Sequence, residues 1–371
     1  MKKRRCAVCV FGVLFLLFSL VSLGAEDSDL LSFAEDSVGY ASFLESIPEH
    51  VFFVAEESGI DFSADAPSPN LLRFFGTICL SFFRGVTDYF PILSVGLILI
   101  LVFKLLSSLS VGNGGAVEAL GYLAVLSSGV YSFSVSERLL RSLQDVVSEV
   151  SSFLHAALPV ITATQTMAGN SQGALAVSAV IPTVLTVLTT VVSAVFSPLC
   201  WFCYAAALLN FGSLSQVLRP LTGTVKKLCL RGVEIVSGLA VGVFCVQRVS
   251  VGSSDSLSRK TASFAFSRLF PVAGGVLSDG LETVYACGRG LLGKVGIVCV
   301  MVVVILFAIP CILGLIFTLL YSVLASVGSA FGVSALTNFF TDVKDTFAAM
   351  TGFSVCALIV LSSGILLLLG G

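Results

Sequence analysis

The chain has 371 residues, 56% hydrophobic and only 11% charged, with a mean hydropathy of +1.04, whereas a soluble domain carries roughly 25% charged residues. That composition excludes a soluble enzyme, and a net charge of −2 gives no electrostatic footprint for nucleic acid. Val150 to Leu218, Val295 to Thr341 and Thr346 to Gly371 contain no Asp, Glu, Lys or Arg. Each run exceeds the roughly 20 residues of a helical crossing, and none has the short alternating segments of an outer-membrane barrel. The expected class is therefore an all-α polytopic integral membrane protein with about six transmembrane helices plus re-entrant or interfacial segments.

At the N-terminus, Lys2, Lys3, Arg4 and Arg5 precede the apolar run Cys6 to Leu23, and Ser22-Leu23-Gly24 offers a small-x-small cleavage site. Residues 1–24 read as a signal sequence, either cleaved or kept as an anchor. Glu26 to Asp65 then holds 11 of the 22 acidic residues and no Lys or Arg. Since basic flanks stay cytoplasmic, residues 25–70 are expected as an acidic extracytoplasmic arm, closed by the linker Pro67-Ser68-Pro69. Residues 71–371 form the multi-helix transmembrane domain.

Leu71 to Phe83, with Arg73 and Arg84 at its ends, suits an interfacial helix. Spans at 91–110 and 115–135 form an antiparallel pair around Gly112-Asn113-Gly114-Gly115. Ser136 to Ser152 puts Glu137, Arg138, Arg141, Asp145 and Glu149 on one helix face, with Leu139, Leu143, Val146, Val147 and Val150 opposite. Phe153 to Met167 is short and carries Pro159, so it reads equally as a re-entrant segment or a crossing. Ala174 to Gly212 is counted as one crossing broken near Pro198, because the basic loop 213–232 must be cytoplasmic. Spans at 233–251, 295–322 and 346–371 follow, with 252–294 outside.

Eleven cysteines fall mostly in or near apolar runs, where Cys acts as a small hydrophobe. Cys200-Trp201-Phe202-Cys203 has C-x-x-C spacing but no second pair beside it, so it reads as helix packing and not as a zinc site. Gly288 to Lys294 matches P-loop spacing until Val295, which cannot hold magnesium. His50 and His155 are too far apart in sequence to suggest a metalloprotease, so no catalytic residue, cofactor or metal is expected. Charges at membrane depth are functional candidates; Lys104 lies within the first span and Glu118 near the start of the second, where the hairpin could pair them. Gly238/Gly242 and Gly328/Gly332 have the spacing of close helix contacts.

Lys260-Thr261-Ala262-Ser263-Phe264, Phe270-Pro271-Val272-Ala273-Gly274-Gly275-Val276-Leu277-Ser278-Asp279-Gly280-Leu281-Glu282-Thr283-Val284 and Val295-Gly296-Ile297 together resemble the stage III sporulation protein AE family. The layout over roughly residues 71 to 371 is similar too. The resemblance implies a multi-pass protein of the mother-cell membrane around the forespore in endospore-forming bacteria. It implies partnership with other stage III sporulation membrane proteins and a forespore-side complex in a secretion-like conduit, a place in the bilayer, and an oligomeric assembly. Polar, Gly-rich backbone between apolar segments is tolerated at membrane depth only when buried or lining water. Pro271, Gly274, Gly275, Ser278, Asp279 and Thr283 are accordingly expected to form a re-entrant or interfacial element shaping a pore or a subunit contact. A stand-alone secondary transporter is the alternative reading, and it would show inverted repeats with midplane charges.

Overall fold

A computed structural model describes residues 35, 38–60, 62, 71–109, 114–209, 223–225 and 274–369. Among the described residues all regular structure is helical. Two short helices, α1 (Tyr40–Glu45) and α2 (Glu49–Glu57), belong to the acidic arm. Then come α3 (Leu71–Asp88), α4 (Phe90–Leu109), α5 (Gly114–Met167), α6 (Ser171–Thr190), α7 (Ser197–Leu209), α8 (Gly274–Ala330) and α9 (Ser334–Leu369). Five stretches among the described residues are long and apolar enough to cross a membrane: Gly76–Ser108, Ala119–Met167, Ser171–Leu209, Cys287–Ala330 and Ser334–Leu366. The expected span at 233–251 lies outside the described residues, as do the signal sequence and the basic loop but for 223–225.

Burial ranks these stretches. The apolar window of Cys287–Ala330 is 78% buried and that of Ser334–Leu366 is 61% buried, against 17% for Gly76–Ser108 and 28% for Ser171–Leu209. Every side chain from Val298 to Phe307 is buried, as expected of a helix that is apolar all round, so α8 is the central post and α9 packs along it. At the periphery, α4 exposes Ile98, Leu101, Val102 and Leu105, and the N-terminal part of α5 exposes Leu123, Leu126 and Val130. Such faces are stable against hydrocarbon and unstable against water.

Two expectations for the middle of the chain are corrected. The span 115–135, the charged helix 136–152 and the segment 153–167 are one helix, α5, which continues through Pro159. An interior proline costs roughly 3 kcal/mol, but Phe153, Leu154, Ala157, Val160 and Ile161 are all buried at helical spacing, and that packing outweighs it. Pro159 itself faces outward. The segment 153–167 is therefore neither re-entrant nor a separate crossing. The break expected near Pro198 is absent: the helix runs without interruption from Ser171 to Leu209, with a π-helical turn at Val191–Phe196 between α6 and α7. Pro198 follows that turn directly, where the wider winding accommodates a residue with no N–H to give to the helix.

Helix lengths add a further constraint. At 1.5 Å per residue, α5 with 54 residues runs about 81 Å and α8 with 57 about 86 Å, against about 30 Å of hydrocarbon core. Both rods continue well beyond one bilayer leaflet pair. The change of environment along α5 falls between Phe133 and Glu137, where exposed apolar side chains give way to the charged face. At that level Arg138 stacks 5.6 Å over the Tyr89 ring and donates to its hydroxyl at 3.4 Å, and Tyr89 packs edge-on against Phe317 of α8 at 4.9 Å.

Candidate pore and assembly site

The arm is not a free tail. Tyr40, Phe43, Ile47, Val51 and Ala55 are buried in the same core as α5 and α8, with Phe43 5.9 Å from Phe153. The Lys294 ammonium, on α8, reaches Glu35 Oε1 at 2.5 Å, and its side chain is 3% exposed against 21% for the glutamate. The same ammonium lies 4.9 Å from the centre of the Tyr40 ring. Tyr40 in turn donates its hydroxyl to the Phe62 carbonyl at 3.1 Å. Burial first, and then the Glu35 carboxylate and Cys299, hold the Tyr40 phenol above its ordinary value, so it remains a donor. His50 lies 3.4 Å from Glu149 of α5, an exposed pair worth well under about 1 kcal/mol. The sequence puts the arm, 136–152 and 252–294 all on the outer side, and these contacts bring the arm together with Glu149 and Lys294.

A second polar feature lies deeper in the bundle. Ser128, Ser132 and Ser136 are buried at successive turns of α5, with Ser132 and Ser136 donating to the carbonyls of Ser128 and Ser132. Tyr321 of α8 donates to Ser132 Oγ at 2.7 Å, and Tyr204 of α7 donates to the Gly129 carbonyl. Gly129 makes that approach possible, since a Cβ there would run into Leu208. The Ser128 hydroxyl is buried without a hydrogen-bond partner. This hydroxyl seam joins α5, α7 and α8. Ser132→Ala should leave the Tyr321 hydroxyl unpaired and lower stability by about 1–3 kcal/mol, while adding Tyr321→Phe should recover most of the loss. Thermal unfolding of the two variants in detergent checks this.

Close helix contacts concentrate at glycines. Gly288 of α8 abuts the α5–α6 turn, where a Cβ would stand 2.5 Å from the Ala168 nitrogen and 2.6 Å from the Met167 carbonyl carbon. That turn is fixed by Gly169 at φ 75 and by Asn170, whose side chain accepts from the Gly173 N–H at 2.9 Å. Of the pair Gly328/Gly332, only Gly328 makes a close approach, with a Cβ meeting Thr337 Oγ1 at 2.8 Å. Gly332 instead supplies a positive φ of 70 in the α8–α9 turn. Gly238 and Gly242 lie outside the described residues.

The residues singled out from sequence are distributed as follows. Gly274, Gly275, Ser278, Asp279 and Thr283 fall on the first turns of α8, so their backbone is helical; their side chains and Pro271 lie outside the description. Lys104 is exposed on α4, and Glu118 is on α5 with its side chain outside the description. Lys294, which ends the P-loop-like spacing, is on a helix and engaged with Glu35, so that stretch has neither the loop nor the free lysine of a phosphate cradle. His155 Nδ1 lies 2.7 Å from the Ser151 carbonyl, which occupies the nitrogen nearest the Ser151 hydroxyl. Sequence reasoning missed the Glu35–Lys294 contact and the serine seam. Their signals were a lone cation bordering a 47-residue charge-free run, and serines at four-residue spacing within an apolar span.

Fold and site define a helical, polytopic membrane protein whose N-terminal arm is clasped onto its two longest helices. The sequence profile of Stage III sporulation protein AE matches residues 63–370, and the chain belongs to that family. The Stage III sporulation protein AE of Bacillus subtilis (strain 168) is 21% identical over 209 residues, 56% of this chain and 51% of the relative, so the match spans about half the length of that relative. No solved structure matches.

Proposed function

We propose that this sporulation-family protein is a membrane-embedded subunit of a multi-protein conduit between mother cell and forespore, forming or supporting its channel. It resides in the mother-cell membrane around the forespore, with other stage III sporulation membrane proteins and a forespore-side complex as partners. It acts by assembly and passage and not by covalent chemistry. Family membership supports the sporulation role. The observation that carries the conduit reading is the length of α5 and α8, continuous rods each more than twice the roughly 30 Å of a hydrocarbon core. The buried serine–tyrosine seam supplies polar groups inside the bundle, which lipid would not tolerate. The start of α8, with Gly275 and Asp279, remains the proposed pore or contact element, beside Pro271.

Deletion in the host, followed by microscopy with a late forespore-gene reporter and a complementing copy, tests the reading. The expected result is arrest after engulfment with a silent reporter. Normal spores would overturn it, and normal sporulation of Gly275→Leu and Asp279→Ala would remove the proposed element from the mechanism.

A further inference from the structure

The docked arm has two faces. Val51 and Ala55 of α2 turn into the core, while the opposite face carries Phe53, 70% exposed, and Phe52, 37% exposed. Phe52 is steadied edge-on by Phe62 at 5.6 Å. On the same helix Glu49, Glu56 and Glu57 are all exposed, no Lys or Arg occurs between residues 26 and 65, and the Arg73 side chain lies beyond the C-terminal end of α2, beside Gly59. An arm that only had to be hydrophilic would not need a buried ion pair to fix its position, nor two aromatic rings held out at its surface. Aromatic anchors within a polar rim are the anatomy of a protein-binding surface.

We propose that this face of α2 docks a second protein that presents an apolar notch for Phe53 bordered by Lys and Arg side chains. Charge selects this occupant. A bilayer with anionic headgroups repels a face bearing three carboxylates. A second copy of the chain, meeting this face two-fold, would set the same carboxylates against each other. The inference rests on the conduit reading only for the side of the membrane on which the arm stands, and it names the chemistry of the neighbour at that site.

The test places the photo-crosslinking residue p-benzoyl-phenylalanine at position 53 of the full chain in sporulating cells, with and without Glu49→Lys, Glu56→Lys and Glu57→Lys together. Cys299, buried near Tyr40, reports whether the arm stays docked, through its protection from maleimide. The expected result is an adduct on a Lys/Arg-rich peptide of a different protein, reduced at least about tenfold by the triple reversal while Cys299 stays protected. An adduct on lipid, on a second copy or on the chain itself overturns the proposal, as does no adduct or one indifferent to charge reversal. Normal sporulation of the deletion strain would overturn the conduit reading while leaving the crosslink to be judged by itself.

Discussion

Glu35→Leu is expected to release the arm, and to do so more thoroughly than Lys294→Met. The two partners are unequally buried, the lysine side chain being 3% exposed and the glutamate 21%. Removing the glutamate strands an ammonium in the core beside the Tyr40 ring, and an uncompensated buried charge costs about 3–5 kcal/mol. Removing the lysine leaves a carboxylate that can turn toward water, and the loss should be smaller. The double variant Glu35→Leu/Lys294→Met should recover most of the stability, because a buried pair replaced by apolar groups of similar volume is often neutral. Thermal unfolding in detergent, with maleimide labelling of Cys299 as the reporter of arm release, distinguishes these outcomes. Equal losses for the two single variants would mean that the pair is solvated and does not hold the arm.

Gly288→Ala should be the most damaging of the glycine substitutions. Its new Cβ would stand 2.5 and 2.6 Å from backbone atoms of Ala168 and Met167, in a turn already committed by the left-handed Gly169 and the Asn170 cap. Backbone cannot rotate out of the way as a side chain can, so α8 must shift along its length, at the upper end of the roughly 1–3 kcal/mol typical of overpacking or beyond. Gly96→Ala is the matched control: its Cβ meets side-chain atoms of Leu324, both methyl groups at 2.6 Å and Cγ at 3.2 Å, and a side chain can move where backbone cannot. Unfolding midpoints and yields of the two proteins from membranes should separate by several degrees. Similar behaviour would show that the α5–α6 turn yields to α8.

Both predictions concern contacts that one-dimensional periodicity does not contain. Charge-free runs longer than a bilayer crossing were sufficient to specify a helical, polytopic class, because in hydrocarbon the backbone must satisfy itself within each helix. The α4 span was equally readable, since apolar length acts locally, as was the single crossing between Ala174 and Gly212. The alternation of charged and apolar residues from Glu137 to Val150 likewise fixed the inner face of α5 before any partner was known.

The tertiary structure decided the rest. The apolar run from Thr346 reads by itself as a crossing, and it is the C-terminal part of α9, a helix long and apolar enough to cross that begins at Ser334; only the fold shows that it lies largely buried along α8. Composition cannot tell lipid from protein as the surrounding apolar medium. Pro159 leaves 153–167 open between a re-entrant segment and a crossing because its local cost is visible in sequence, whereas the packing of Phe153, Ala157 and Ile161 that overrides it comes from other helices. Lys294 could be seen as the last charge before an apolar helix, but its partner Glu35 is 259 positions away. What the sequence by itself determined are the properties each helix has alone; the buried ion pair, the serine–tyrosine seam and the glycine contacts exist only where the fold brings distant segments together.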